Sequence, residues 1–244
     1  MSITHVKNKD INLEFSKGFA QAELLAGVYP GVYMYRCVLK AGGSITPEIY
    51  GEALQLLCLT DGEGYITTPK QAFQINELSF FLANLNEEFT VHAATDLTFT
   101  KCIVDLTVKD MEMYGKKHLV LPFFCKLSQD REYWQSCKTP GTRSWSIISA
   151  KQQNRLLVGV CMGHDGGTIE KGHPALAQWN IILKASDLVL TVDNEEIEQQ
   201  DGDVSYIPAG LDHSLVSKPG QSVNYIWIEH YIQEVDYIVT NPHN

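Results

Sequence analysis

The segment from Gly202 to His213 carries the residues most readily connected with chemistry. Gly202 ends a predicted hairpin, Pro208 stiffens the exit of a strand, and Gly210 allows a turn that a side chain would obstruct. This pattern presents the imidazole of His213, a group that can bind a metal or carry a proton. A second imidazole, His173, lies upstream. The segment therefore predicts a functional site in the C-terminal part of the chain.

The elements that position these residues are predicted to be strands. Short runs rich in Val, Ile, Leu, Tyr, Phe and Thr alternate with turns that contain Gly, Asn, Asp or Pro, and long segments with a 3.6-residue period are nearly absent. This rhythm is typical of an all-β protein. The predicted strands are 31–39, 54–59, 64–68, 78–82, 97–106, 156–162, 178–183, 188–192, 204–208 and 223–231.

The sequence contains an internal repeat. Gln55 and Gln178 stand at equivalent places in similar strands, at an offset of 123 residues. Further on, Asn76–Leu82 aligns with Gly202–Pro208 at an offset of 126 residues. Each copy has the size of one jelly-roll barrel, so the chain is predicted to contain two such barrels in tandem.

The repeat predicts three segments. Residues 1–110 form an N-terminal barrel, residues 111–153 a connector, and residues 154–244 a C-terminal barrel that carries the site. The connector is richer in Lys, Gln and Ser and is predicted to contain a short helix around Ser128–Ser136. Its aromatic residues predict that it packs on the barrels.

Composition restricts the partners. The 244 residues include 19 Lys+Arg and 29 Asp+Glu, for a net charge of −10, so binding to nucleic acid or to an anionic membrane would oppose the overall field. The start lacks a signal-peptide pattern, and six dispersed cysteines without a Cys-x-x-Cys pair favour free thiols. We therefore expect a cytoplasmic protein with a small-molecule ligand.

The segment Gly202–His213 resembles the second motif of the cupin superfamily, Gly-x5-Pro-x-Gly-x2-His, at all four fixed positions. With the repeat, this resemblance implies a bicupin with two double-stranded β-helix (jelly-roll) barrels. Bicupins often associate through sheet edges, so the resemblance also implies a homodimer.

The first cupin motif, His-x-His-x3–4-Glu-x6-Gly, is degenerate. Lys171, His173, Gln178 and Ala185 stand at its four fixed positions, and His173 alone keeps the expected residue type. In the N-terminal copy no imidazole remains at the equivalent positions, which predicts that this barrel binds no metal.

One interpretation of the C-terminal site is a metal centre. His173 and His213 would bind one divalent metal, Gln178 would add its amide oxygen, and a bulge at Gly172 could swing Glu170 inward. Imidazole with oxygen ligands suits Mn, Fe, Ni or Zn. The bicupin (S)-ureidoglycine aminohydrolases are similar in having a metal only in the C-terminal cupin with mixed ligands. Their Glu-x-His-x3-His spacing is not reproduced, so no catalytic role carries over.

The other interpretation dispenses with the metal. The period of two in a strand makes Lys171 and His173 face the same way, so the ammonium of Lys171 could replace the metal's charge. A cation beside a dication is unfavourable, so an inward Lys171 argues against a metal. The barrel would then bind a sugar or a carboxylate without catalysis.

Three further residues are candidates for substrate binding. Tyr206, Trp227 and Glu229 lie on predicted strands near the second motif, and alternation puts Trp227 and Glu229 on one face of their strand. A carboxylate that shares a face with aromatic rings needs a partner. Alternation leaves open which face looks inward.

The leading hypothesis is a bicupin enzyme that acts on a small polar metabolite of the carbonyl, carboxylate or ureide type. Its metal would be held by His173, Gln178 and His213 and would act as a Lewis acid, with Lys171 or Glu170 handling protons. Aminohydrolase, isomerase, lyase and dioxygenase chemistry all occur on this fold, and the resemblance does not choose between them.

Overall fold

The chain forms two compact all-β units. A computed structural model describes residues 3–117, 121–149 and 155–233. One unit is Ile11–Gln129, called here the N-terminal barrel, and the other combines Met1–Asp10 with Asp130–Asn244, called the C-terminal barrel. No helix among the described residues is long and apolar enough to cross a membrane.

Strands dominate the chain, and helices are short. The helical elements are α1 (Val108–Lys117) and two 3-10 turns, Asn8–Asp10 and Leu127–Gln129. In chain order the strands are β1 (Thr4–Val6), β2 (Phe19–Leu24), β3 (Val32–Leu39), β4 (Ser44–Ile45), β5 (Ala53–Asp61), β6 (Gly64–Thr67), β7 (Ala72–Ile75), β8 (Ser79–Leu82), β9 (Thr90–Ala93), β10 (Leu97–Asp105), β11 (Phe123–Lys126), β12 (Arg143–Ile148), β13 (Leu156–His164), β14 (Gly167–Glu170), β15 (Leu176–Ile182), β16 (Asp187–Val192), β17 (Glu195–Gln200), β18 (Val204–Ile207), β19 (His213–Ser217) and β20 (Ser222–Tyr231).

The two barrels have the same topology. The N-terminal barrel pairs a six-stranded sheet, β11-β8-β5-β10-β3-β2, with a four-stranded sheet, β4-β9-β6-β7. The C-terminal barrel has the sheets β1-β18-β15-β20-β13-β12 and β14-β19-β16-β17. Each strand of one barrel has a counterpart at the same place in the other, and the described pairs are antiparallel. The predicted all-β fold of two tandem jelly-roll barrels is confirmed.

The core of the C-terminal barrel lies between its two sheets. Tyr225 and Trp227 of the larger sheet pack in one cluster with Leu190 and Leu215 of the smaller sheet. Trp227 lies opposite Gly159 on the neighbouring strand, and a Cβ at Gly159 would come within 2.1 Å of the indole. The missing side chain of Gly159 is what makes room for this ring inside the barrel.

The boundaries between the units differ from the predicted ones. The predicted connector, 111–153, is shared between the barrels, because β11 extends the N-terminal barrel and β12 extends the C-terminal barrel. The first ten residues, which we assigned to the N-terminal barrel, belong to the C-terminal unit, where β1 pairs with β18. Strand pairing over long sequence separations leaves no local signal in the sequence, which explains these differences.

The connector helix lies elsewhere than predicted. Of the predicted segment Ser128–Ser136, only Leu127–Gln129 is helical, and Tyr133 instead donates its amide to the carbonyl of Ser144 at 2.9 Å. The helix α1 starts earlier, after Thr107. The Thr107 hydroxyl accepts from the Asp110 amide at 3.2 Å, and the Asp110 carboxylate accepts from the Thr107 amide at 3.0 Å. This reciprocal cap fixes the start of the helix.

The buried carboxylate of Asp203 fastens the first residues of the chain to the C-terminal barrel. One oxygen of Asp203 accepts from the Asn8 amide at 2.8 Å. The other accepts from the Gln200 amide and from the Lys7 ammonium, both at 3.0 Å. Only 6% of this side chain is exposed, so these donors would lose their acceptor in a dry environment if it were removed.

We predict that Asp203→Ala lowers the free energy of unfolding by about 1–3 kcal/mol, because two backbone amides and the Lys7 ammonium lose a buried acceptor. Amide hydrogen exchange in β1 should accelerate, since this strand is held at the edge of its sheet. Asp203→Asn, which keeps one acceptor oxygen, should lose less. Unchanged exchange in β1 of Asp203→Ala would contradict the assignment.

Candidate metal centre

The candidate site lies where β14 ends and β19 begins. These strands pair so that Glu170, the last residue of β14, is directly opposite His213, the first residue of β19. The chain then turns, and the carbonyl of His173 accepts from the amides of Gly210 at 2.9 Å and Leu176 at 3.2 Å. Strand register therefore brings Glu170 beside His213, and the turn adds His173.

Two glycines allow the turn that carries His173. A Cβ at Gly172 would lie 2.3 Å from the backbone of Gly210, closer than real side chains approach. Gly210 itself has φ +87°, a conformation that favours glycine. The second motif accounts for Gly210, whereas the need for glycine at position 172 becomes visible only when the two segments are seen to cross.

Glu170, His173 and His213 can share one metal ion. The Glu170 carboxylate lies 3.1 Å from Nε2 of His173 and 4.0 Å from Nε2 of His213, and one ligand atom from each residue lies within 4.8 Å of the others. Two ligands bound at about 2.0–2.2 Å from one ion stand about 3–4 Å apart. Among the residues that the structure describes, this is the group of His, Cys, Asp and Glu side chains with such a geometry.

His213 presents a bare lone pair to this group. Its Nδ1 lies 3.0 Å from the carbonyl oxygen of Leu211, which can only accept, so Nδ1 carries the proton. In the neutral form of the ring the lone pair therefore lies on Nε2, which is buried and has no hydrogen-bond partner among the described residues. An imidazole whose other nitrogen is held by a backbone carbonyl is the usual form of a metal ligand.

His173 lies between two carboxylates. Its Nε2 faces Glu170, and its Nδ1 lies 3.5 Å from the carboxylate of Glu229. Burial by itself lowers the pKa of His173, but the hydrogen bond to Glu170 and the charges of Glu229 and Glu170 outweigh it and raise the pKa. This arrangement attracts positive charge to the centre of the group.

Gln178, Trp227 and Glu229 lie on the inner face of the larger sheet. Gln178 is directly opposite Glu229, and Trp227 belongs to the core between the sheets. The Gln178 amide donates to Oδ1 of Asn180 at 2.9 Å, while its buried carbonyl oxygen has no hydrogen-bond partner. Gln178 therefore offers an unused oxygen ligand to the interior.

Lys171 lies outside the site, which corrects the prediction that it faces inward. Its side chain is 93% exposed, and its ammonium pairs with Asp212 at 3.0 Å. The alternation that we used does not apply, because β14 ends at Glu170 and the next residues turn. Glu170 points inward instead. The interpretation in which Lys171 replaces the charge of a metal is wrong, and so is its proposed role in handling protons.

Tyr206 is also outside the site. Its neighbour Ile207 belongs to the core between the sheets, so alternation turns Tyr206 to the opposite face of β18. There its ring lies 5.1 Å from the ring of Trp179. Of the three predicted substrate-binding residues, the structure places Trp227 and Glu229 on the inner side.

The sequence predicted that the connector packs on the barrels, but not that its segment 132–139 closes the side of the C-terminal barrel. It pairs with β12 through the Tyr133 amide, and with β14 where the Ile169 amide donates to the Cys137 carbonyl at 2.8 Å. Since β12 and β14 are the outer strands of their sheets, the segment crosses from one sheet edge to the other. It brings Tyr133 against the core and Lys138 beside it. The aromatic content of the segment was its only signal.

The corresponding end of the N-terminal barrel is built from different residues. The pairing of β6 with β9 matches that of β16 with β19, and places Phe89 where the other barrel has His213. Phe89 is buried, with its ring 5.0 Å from that of Phe81. Tyr50, Gln55 and Glu87 lie together nearby.

Solved structures share this arrangement of strands. A variant of Bacillus subtilis oxalate decarboxylase has a TM-score of 0.72 over 95% of this chain and 80% of its own, at 13% identity. Lactobacillus farciminis oxalate decarboxylase has a TM-score of 0.73 over 95% of this chain and 87% of its own, at 12% identity. The chain has the bicupin fold. A glyoxylate-induced protein from Pseudomonas aeruginosa is similar too, with a TM-score of 0.71 at 14% identity over 89% of this chain and 82% of its own.

The sequence itself is distant from these proteins. No family model matches it, and no curated protein matches it. At this level of identity the structural likeness establishes the bicupin fold alone. The chemistry of this chain follows from its own side chains.

We predict that Gly172→Ala lowers the free energy of unfolding by about 1–3 kcal/mol, because the new methyl group collides with the backbone of Gly210 and no side-chain movement relieves it. The denaturant midpoint measures this loss. Lys171→Ala, at the neighbouring exposed position, is the control and should leave the midpoint nearly unchanged. Equal midpoints for Gly172→Ala and the control would mean that the segments do not cross as described.

Proposed function

We propose that this bicupin is a metal-dependent enzyme that binds one divalent metal in its C-terminal barrel and acts there on a small polar metabolite. Glu170, His173 and His213 hold the metal, and Gln178 is the candidate for a further oxygen ligand. The observation that carries the proposal is the bare, buried Nε2 of His213 beside Glu170 and His173. A buried lone pair without a donor is costly unless a ligand completes it.

The ligand atoms of the site restrict which metals can bind there. Two imidazoles with one carboxylate suit Mn, Fe, Ni or Zn and provide too few hard oxygens for calcium. Such a metal, when bound, would polarise a carbonyl or carboxylate oxygen of the substrate.

The surrounding side chains support this use. Glu229 holds Nδ1 of His173, and the Leu211 carbonyl holds Nδ1 of His213, so both rings direct Nε2 to the centre. Trp227 and Tyr133 supply apolar walls that exclude water. Burial raises the pKa of Tyr133, so its hydroxyl stays neutral and can donate a hydrogen bond to a substrate oxygen.

Small carbonyl or carboxylate compounds are the proposed substrate class. The names of the structural neighbours, oxalate decarboxylase and glyoxylate-induced protein, point to small oxo and carboxylate acids. The fold hosts several reaction types, so the neighbours guide the choice of test compounds and not the reaction.

Protein purified without a histidine tag should contain close to one equivalent of metal per chain after reconstitution with Mn, Fe, Ni or Zn. His213→Ala should lose it, because one of three ligands is missing, while the exposed Lys171→Met should retain it. Elemental analysis by mass spectrometry measures the stoichiometry, and circular dichroism verifies folding. A stoichiometry near zero in the wild-type protein with all four metals would remove the proposal.

We also predict that Glu229→Gln weakens metal binding by about 10- to 100-fold, because the variant loses the carboxylate charge that lies 3.5 Å from Nδ1 of His173 and orients this ring. Competition with a fluorescent chelator measures the affinity. Glu196→Gln, at an exposed position of the hairpin β16–β17, is the matched control. If both variants bind metal as tightly as the wild type, Glu229 does not orient the ligand.

A further inference from the structure

Lys138 is a buried cation that the proposed metal site does not use. Its residue is only 8% exposed, and within the part of the chain that the structure describes its ammonium nitrogen has no hydrogen-bond partner. An ammonium carries three donor hydrogens, and a buried one is normally paired with an acid or several oxygens. Acceptor oxygens or a negatively charged group next to this ammonium would therefore stabilise it.

The surroundings of Lys138 place it in the interior of the C-terminal barrel. Its backbone forms a bridge with Thr168 on β14, and its nitrogen lies 3.6 Å from the centre of the Tyr133 ring. Tyr133 packs against the core cluster between the two sheets. Thr168 precedes Glu170 by two positions on β14. Its hydroxyl is hydrogen-bonded to the hydroxyl of the inward-facing Tyr225 at 2.8 Å. Lys138 therefore enters the barrel on the side of the strand that ends in Glu170.

Among the residues that the structure describes, the neighbours of Lys138 do not supply a full counter-charge. Burial lowers the pKa of Lys138, and the nearby Cys161, Cys137 and Glu170 oppose this shift only in part. Glu170 is already engaged by His173 at 3.1 Å. The ring of Tyr133 attracts the cation through its π face but offers no acceptor to the remaining hydrogens.

The charges of the whole site favour a monoanion. Glu170 and Glu229 would balance a bound dication, which leaves the charge of Lys138 uncompensated. A singly charged ligand group placed between Lys138 and the metal would neutralise the site in a dry environment, where residual charge is costly.

We propose that Lys138 binds a carboxylate group of the substrate, so that the C-terminal barrel is specific for small organic acids. This inference rests on the proposed function for the position of the reacting group. It adds a substrate-binding residue, supplied by the segment that crosses between the sheet edges, and it narrows the substrate class from carbonyl or carboxylate compounds to carboxylates.

The test measures ligand binding, independently of activity. Formate, acetate, glyoxylate and oxalate are titrated by calorimetry into chelator-treated and into metal-reconstituted protein, with acetamide as the uncharged counterpart of acetate. Wild-type protein should bind at least one carboxylate in preference to acetamide. Lys138→Met should bind that carboxylate at least about tenfold more weakly, because a buried charge-assisted hydrogen bond is lost. Lys138→Arg should retain part of the affinity, and the exposed Lys171→Met all of it.

Stability and metal content separate the roles. Lys138→Met should be at least as thermostable as the wild type without ligand, because an unpaired buried charge has been removed, and it should keep its metal. Absence of metal from every protein would defeat the proposed function, while carboxylate binding in chelator would still test Lys138. Equal carboxylate affinity in wild type and Lys138→Met, or no carboxylate binding by the wild type in either state, would overturn the inference. Loss of thermostability in Lys138→Met with unchanged binding would assign Lys138 a structural role instead.

Discussion

The candidate site depends on the pairing of β14 with β19. This register sets Glu170 opposite His213, and the crossing of Gly172 under Gly210 returns His173 to the same point. A slip of one residue would turn one member of the pair to the other face of the sheet, because side chains alternate along a strand. The extended core between the two sheets fixes that register, so the geometry of the three ligands is a consequence of how the whole barrel packs.

The same barrel concentrates charge where solvent is scarce. Glu170 and Glu229 flank His173, and Lys138 approaches from the segment that closes the barrel's side. Each of these groups would be costly alone in a dry interior, and among the described residues Nε2 of His213 and the ammonium of Lys138 have no hydrogen-bond partner. Stability by itself does not favour such an arrangement, which is why we attribute it to ligands of opposite kinds, a cation at the imidazoles and an anion at the lysine.

The two barrels show how one fold can keep or discard such a site. Both use the same strand order, yet Phe89 fills the position that His213 occupies in the C-terminal barrel. An aromatic ring there packs against Phe81 and needs no partner beyond the core. The fold therefore tolerates an aromatic side chain at this position, and the cluster of two imidazoles and a carboxylate is a property of the C-terminal copy among the described residues.

The sequence by itself determined the all-β class, the tandem repeat and the positions of His173, His213 and Gln178, since strand periodicity and turn glycines are local signals. It could not determine that Glu170 points inward and Lys171 outward, because that depends on where β14 ends. Tertiary structure likewise decided that β1 joins the C-terminal barrel and β11 the N-terminal barrel. It also decided that Lys138 enters the C-terminal barrel. These pairings are formed by hydrogen bonds between strand edges that are far apart in the sequence. The local pattern of residues does not indicate which edges remain unpaired.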